Sequence, residues 1–361
     1  MLGAGGTIAP AIVRDLADSP EVEGMVLLDI AVDKARAVAG AHGGRKAEAV
    51  ELDASAEGAL ASALEGCDAL VNSASYRLNL DAMEACLAAG SHYLDLGGLY
   101  WLTERQLELG PRFEEAGLLA LLGIGSAPGK TNLLAARAVA DLGGSAESLH
   151  VSAGGRDPDP PAGESFPYAL RTLLDEVTMD PVMIRDGEPI KLEPLTDGGE
   201  VDFGDPIGLG PTVHTIHSEM LTFRTSFGCR EGSFRLSLPP DVERRLRELA
   251  DADETEIARV TAAAAPLSAS TVSVHLVDAR ANGRAIRARS VTPPRADWGI
   301  GGGTVSTATP ITAAVRLLAR GEIARRGAYP PELCLEPAAM FAELESRGVE
   351  FDISESEELA A

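Results

Sequence analysis

Met1 to Ala9 reads MLGAGGTIA, which is the pattern of a strand end, a glycine turn and the first turn of a helix. Gly3-Ala4-Gly5 matches the first half of a dinucleotide fingerprint: one glycine permits the tight turn, and the next lets the backbone approach a pyrophosphate held at a helix N-terminus. Gly6 and Thr7 continue the loop. Ile8 stands where the pattern asks for a third glycine or alanine, and Ala9 follows it. A GxG is weak by itself, but what comes next is in the right order. Ile8, Ile12, Val13 and Leu16 give a helix an apolar face, and Met25-Val26-Leu27-Leu28 reads as a strand ending in Asp29. An acidic residue at the end of the second strand is where adenine-ribose hydroxyls are held. Asp29 would repel a 2′-phosphate, and Ile30 follows where an arginine would help NADP. NAD is therefore the expected cofactor and NADP the less favoured one. Only Met1 and Leu2 precede the turn, so a shortened first strand is expected, with some loss of stability.

The chain has 361 residues, 45% of them hydrophobic and 24% charged, enough for about two domains. Its formal charge of −24 excludes nucleic acid and anionic membrane as partners, since both call for a basic surface. Four lysines (Lys34, Lys46, Lys130, Lys191) stand among many arginines. The four cysteines, Cys67, Cys86, Cys229 and Cys334, show no CxxC spacing, so neither a disulfide framework nor a zinc site is indicated. No signal-peptide pattern opens the chain and no apolar run is long enough to span a bilayer, which fits a cytoplasmic protein.

Strand and helix signals alternate onward. Lys46 to Leu52 reads as a third strand ending in Asp53, placed beside the adenine; a helix is expected over 55–64; Cys67 to Asn72 reads as a buried fourth strand. Ser73, Ala74 and Ser75 then leave room for a ligand at a strand's carboxyl end. A helix carrying Leu80, Met83 and Leu87 is capped by Gly90, His92 to Asp95 forms a fifth strand, a helix is expected over 103–115, and Leu118 to Gly123 forms a sixth. This is an α/β, doubly wound parallel plan. After Pro128-Gly129 a helix over 133–142 leads to a β-rich stretch with hairpin turns at Asp186-Gly187 and Asn282-Gly283 and a buried face at Phe234, Leu236 and Leu238. One charged helix is expected over 241–263. A last helix is read with Thr309 as cap, Pro310 in its first turn and Gly321 at its end. Residues 354–361 read as an acidic tail.

Together GAGG, DALVNSAS before Tyr76, HYLDLGG at 92–98, SAPGKTN at 126–132 and GAYPPELCLEP at 327–337 resemble the saccharopine dehydrogenase and lysine 6-dehydrogenase family. The resemblance implies a Rossmann domain over 1–127, a substrate-binding and dimerising α/β domain with a mixed open sheet over 128–305, and C-terminal helices over 306–361 returning to the first domain. It implies a homodimer and NAD(P)-linked oxidation of a carbon bearing an amine, or reduction of the imine. Ala127, where saccharopine-forming reductases carry an acid, is more similar to the lysine 6-dehydrogenase type. Ala153 stands where those reductases have a cysteine, so saccharopine itself is not the expected substrate.

Hydride transfer needs a group to manage the amine proton and fixed charges to hold the substrate. Tyr76 follows the fourth strand and resembles a tyrosine of the reductases. It would either orient or protonate the nitrogen or simply pack over the ring. Lys130 opens a helix, where a cation opposes the dipole. It would bind a substrate carboxylate or lower the pKa of Tyr76, unless it is an ordinary exposed lysine. Tyr76 and Lys130 are the catalytic expectations. Arg77, Gly98, His217 and Arg224 are expected on the substrate side, with Arg230 a second arginine able to clamp a carboxylate. His214, His217 and Glu219 lie close enough in sequence for a metal to be conceivable, but no third motif completes a site and none is expected. The expected reaction is NAD-linked oxidation of CH–NH in an amino acid or polyamine-like amine. Reductive condensation and a non-catalytic NAD(H)-binding sensor are the alternatives.

Overall fold

The computed structural model describes residues 1–356. It divides into two compact units, one of residues 1–133 with 307–347, the other of residues 134–306 with the described residues from 348 onward. In chain order the first unit contains α1 (Ala9–Ala17), β1 (Met25–Asp29), α2 (Val32–His42), β2 (Ala47–Glu51), α3 (Ala59–Ala63), β3 (Ala69–Asn72), α4 (Asn79–Ala89), β4 (His92–Asp95), α5 (Leu99–Leu107), α6 (Gly110–Glu115) and β5 (Leu119–Leu121). α7 (Lys130–Asp141) leads to β6 (Ser148–Arg156), α8 (Leu170–Thr178), β7 (Val182–Arg185), β8 (Glu188–Lys191), β9 (Asp197–Asp202), β10 (Leu209–His214), α9 (Glu219–Ser226), β11 (Glu231–Leu236), α10 (Pro240–Leu249), α11 (Glu254–Ala263), β12 (Val272–Ala281) and β13 (Arg284–Thr292). The chain closes with α12 (Gly302–Ala319), β14 (Gly327–Tyr329), α13 (Pro331–Cys334), α14 (Pro337–Glu345) and β15 (Glu350–Glu355).

The first unit is a Rossmann-type parallel sheet. β14, β5, β4 and β3 lie side by side, β1 pairs with β2, and Leu2 makes parallel bridges to both Asn72 and Leu28, joining the two halves. A single bridging residue therefore stands for the first strand at the point where strand order reverses. The apolar residues that mark the strands and helices in sequence form the core: Leu28, Leu64, Leu70, Met83, Tyr93 and Phe113 pack together. In the second unit β15, β13, β12, β6, β11, β10 and β9 form one mixed sheet, with β7 also paired to β11 and β8 paired to β7. Only β6 and β11 run parallel in it. Both hairpin turns form as read, with φ of 55° and 84° at Asp186-Gly187 and 54° and 70° at Asn282-Gly283.

Several element readings need correction. The helix expected over 55–64 shrinks to α3, because Asp53 folds onto the Ser55 amide and hydroxyl and Gly58 turns left-handed at φ 72°. α4 buries Asn79, Ala82, Met83 and Cys86, one position round from the face read through Leu80 and Leu87. The helix expected over 103–115 starts at Leu99 and breaks into α5 and α6, where Pro111 cannot donate in mid-helix. The charged helix over 241–263 breaks between α10 and α11, where the Asp253 side chain caps the Glu256 amide at 2.8 Å. α12 begins at Gly302, so Pro310 lies inside a helix rather than at its start. Ser354 and Glu355 pair with β13 instead of forming a tail, and the rest of that expected tail, from residue 357, lies outside the described residues.

Candidate functional site

Gly3 adopts φ 78°, and a Cβ there would sit 2.5 Å from the Ala74 nitrogen. The turn after Leu2 is thus pressed against the segment that follows β3, with room for hydrogen only. Ser73 completes the contact by donating from its hydroxyl to the Leu2 carbonyl at 3.1 Å. Gly5 is held from the other side: its amide donates to Asp29 Oδ2 at 2.8 Å, while Oδ1 accepts from the Ala31 amide at 2.8 Å. Gly6 and Thr7 are exposed and Ile8 is half-buried, directly before α1. Glycines that admit no side chain, a helix N-terminus behind them and a fixed carboxylate at the second strand's end fit a dinucleotide. Asp53 is exposed and its carboxylate is engaged by Ser55. Ser75 is exposed at the end of the Ser73–Ser75 run.

A turn of 3-10 helix from Tyr76 to Leu78 follows, with the Arg77 guanidinium carbon 4.7 Å from the Tyr76 ring centre. That is a cation–π pair on the candidate proton-handling tyrosine. Gly98 precedes α5; a Cβ there would lie 2.2 Å from Gln106 Oε1, so this glycine is required by its own neighbours whatever binds nearby.

Lys130 is fully buried, which removes the exposed-lysine alternative. Burial lowers its pKa to about 7, as expected when an ammonium leaves water. Its amide donates to the Gly125 carbonyl at 2.9 Å, and Gly129 donates to Asn132 Oδ1 at 2.8 Å, so the Pro-Gly turn feeds directly into α7.

Reasoning from sequence passed over the residue that organises this region. Asp95, at the carboxyl end of β4, accepts at Oδ1 from the amides of Gly97 (3.0 Å) and Gly123 (2.6 Å). At Oδ2 it accepts from Tyr93 Oη (2.9 Å), Asn79 Nδ2 (3.0 Å) and Gln106 Nε2 (2.6 Å). Burial raises its pKa against the pull of those donors. Asn72 extends the network, donating to Asn79 Oδ1 at 3.0 Å and accepting from the Ala74 amide at 3.1 Å. An apolar strand ending in aspartate, as in HYLD, is the only sequence signal for it.

In the second unit His217 lies in the turn before α9, stacked on Phe234 at a ring-centre distance of 3.5 Å. Its Nε2 is 3.7 Å from Glu176 Oε2 and its Nδ1 is 3.6 Å from Glu219 Oε2. These are ion pairs rather than hydrogen bonds. All three side chains are buried, and Tyr168 donates its hydroxyl to Glu176. Burial pushes the imidazole pKa down, but the two carboxylates outweigh it and hold the value at about 9. Glu176 comes from α8, 41 positions earlier, and Tyr168 from the loop before it; no local pattern announces either. Arg224 donates to the Gly187 carbonyl at 2.7 Å and to Glu188 at 2.9 Å, so the β7–β8 hairpin engages its guanidinium. Arg230 is exposed and pairs with Asp186. Among the described residues no three His, Cys, Asp or Glu side chains are arranged to hold a metal, and no helix is long and apolar enough to cross a membrane.

Residues 1–121 match the family model of the saccharopine dehydrogenase NADP binding domain. Carboxyaminopropylagmatine dehydrogenase of Synechocystis is 31% identical over 147 residues, 38% of this chain and 37% of that protein; the match thus spans little more than a third of the relative. The apo saccharopine dehydrogenase (L-Glu forming) of Saccharomyces cerevisiae superposes with a TM-score of 0.73, covering 98% of both chains at 16% identity. The architecture, a parallel Rossmann-like sheet with a second mixed-sheet unit, is that of saccharopine dehydrogenase, and the N-terminal segment is saccharopine-dehydrogenase-like in sequence as well.

Proposed function

We propose that this chain is an NAD-linked oxidoreductase acting on a CH–NH bond of an amino acid or amine. In the lysine 6-dehydrogenase-like direction the carbon gives up a hydride to the cofactor, the nitrogen loses a proton, and water hydrolyses the imine. The observation that carries the reading is the glycine turn closed against Ala74 and tied to Asp29, inside the segment that matches a nicotinamide-dinucleotide domain. Gly3, Gly5, Gly6, Thr7 and Ile8 would hold the pyrophosphate, Asp29 the adenine ribose, and Ser73, Ala74 and Ser75 the middle of the cofactor. Asp29 favours NAD, although the matching model is named for NADP. Tyr76 and Lys130 are the groups proposed to handle the amine proton; a lysine with a pKa of about 7 is suited to exchange protons near neutrality. Arg77, Gly98 and His217 are proposed on the substrate side. Arg224, engaged by its hairpin, is left out. The functional division proposed is 1–127 for cofactor, 128–305 for substrate and dimer formation, and, within 306–361, the C-terminal helices completing the first domain while β15 joins the sheet of the second unit.

The reverse reaction, reduction of an imine formed from a carbonyl and an amine, is the second reading; the name of the Synechocystis relative supports it. Both are tested by following NADH at alkaline pH against L-lysine, ornithine, diaminobutyrate, saccharopine and polyamines, with NAD and with NADP. Turnover of one amine with NAD supports the oxidative reading. Silence with all, while NADH still binds, turns the search to carbonyl and amine pairs, or to a sensor that binds without turnover.

A further inference from the structure

Asp95 is 1% exposed and every one of its five partners donates to it. Four of the five are amide N–H groups, which cannot accept a proton in return. A neutral carboxylic acid would have only the Tyr93 oxygen to give its hydrogen to, so the network favours the ionised form, although burial pulls the other way. Among the described residues none of these partners is a cation, and no ion pair joins Asp95 to Lys130 or to any arginine. The result is a buried negative charge, solvated by dipoles but not neutralised.

Its place in the sheet gives that charge a target. In a doubly wound sheet the strands divide into two mononucleotide-binding halves, with ligand outside their carboxyl ends. Asp29, at the end of β1, belongs to the adenine half. Asp95 stands at the carboxyl end of β4, in the other half, and is tied to the segments that leave three of its strands, β4 and β5 directly and β3 through Asn79 and Asn72. Gly97 lies in the loop after β4, Gly123 in the loop after β5, and Asn79, through Asn72, steadies the Ala74 segment after β3. We propose that Asp95 is a buried counter-charge that makes the nicotinamide half of the cradle prefer the oxidised, cationic ring over the neutral reduced one. The charge is fixed before any ligand arrives, so no reorganisation is needed to present it. Preference for the oxidised ring also makes the bound reduced cofactor a stronger hydride donor than it is in water, which favours amine formation on the enzyme.

The inference rests on the dinucleotide reading of the first unit, and binding measurements separate the two. Titration calorimetry of the intact protein with NAD+ and with NADH is expected to show NAD+ bound more tightly. Asp95→Asn is expected to cut the NAD+ to NADH affinity ratio by about tenfold, the order of effect of one unit charge across a protein interior. Asp95→Glu, if it keeps the charge in place, restores the ratio. A merely structural Asp95 would weaken both forms alike and leave the ratio unchanged, which overturns the inference while sparing the dinucleotide reading. If Asp95→Asn does not fold, the wild type decides: NADH bound as tightly as NAD+, or more so, overturns it. Binding of neither form overturns both readings.

Discussion

The Asp29 carboxylate accepts the Gly5 amide at 2.8 Å across 24 positions of sequence, so the residue that would meet the adenine ribose also fixes the glycine turn. Its charge would act on a bound cofactor, while its oxygens act on the loop. Asp29→Asn keeps an oxygen for one amide and discards the charge. The expected outcome is a fall in the NAD to NADP affinity ratio of about tenfold, because the repulsion of a 2′-phosphate disappears. Calorimetric titration with both oxidised cofactors measures it. An unchanged ratio would show that Asp29 serves the turn alone.

Lys130 should make stability depend on pH in a definite direction. Its folded pKa of about 7 lies below the 10.5 of an exposed lysine. Between those values the unfolded chain holds the extra proton, so stability rises as pH rises from 7 to 10.5. Below pH 7 both states are charged and the burial penalty is present in full. Lys130→Met should therefore melt higher than wild type at pH 6, with the gap closing towards pH 10.5. If the lysine also handles the amine proton, the same variant loses kcat/KM by on the order of 100-fold. A melting difference that does not vary with pH would contradict the lowered pKa.

Much of this architecture could be read directly from sequence, and the failures have a common cause. β1, β3 and β4 are short apolar runs bounded by turns, and Gly90 ends α4 at φ 75° as a left-handed cap should. Such signals are local. Pro310 misleads because a proline usually opens a helix, whereas here α12 continues through it. Asp95 and the carboxylate pair that clamps His217 escape for a different reason. The donors to Asp95 include Asn79, Gln106 and the Gly123 amide, between 11 and 28 positions away, and two of the three come from neutral side chains with no chemistry to flag. The carboxylates around His217 gave only half their signal, since Glu219 is adjacent while Glu176 is brought in by α8. Pairwise contacts made by tertiary packing leave no period or spacing behind them.

His217 carries the opposite pH signature to Lys130. Its pKa is held at about 9, above the ordinary 6.5, so its contribution is fully present below pH 6.5 and is lost as pH rises through 9. At full strength it is worth about 3 kcal/mol. Glu219→Gln removes one of the two carboxylates and should bring the imidazole pKa down, read by NMR titration of the ring protons. Wild type should lose its melting advantage over His217→Phe as pH climbs from 6.5 past 9. An imidazole that titrates near 6.5 in the wild type would mean the carboxylates do not hold it charged.

The helices that follow the second unit in sequence are fastened to the first helix of the chain by charge. Arg316 of α12 and Asp15 of α1, each side chain 2% exposed, meet at 3.2 Å, and Arg316 Nε reaches Glu343 of α14 at 2.7 Å. Asp15 is also held by Arg347 at 2.9 Å and by the Thr312 hydroxyl. Removing one member of a buried ion pair strands its partner without water, at a cost of about 3–5 kcal/mol. Arg316→Ala should reach that range, since it opens a cavity and exposes Asp15 and Glu343 to each other's charge. Arg316→Met fills the space and leaves Asp15 its bond to Arg347, so a smaller loss is expected. Adding Asp15→Asn to Arg316→Met should then recover stability, because the charge left short of a partner is gone. Urea denaturation gives all three values. A loss below about 1 kcal/mol for Arg316→Ala, the range of exposed pairs, would mean that apolar packing rather than this network holds α12 and α14 against α1.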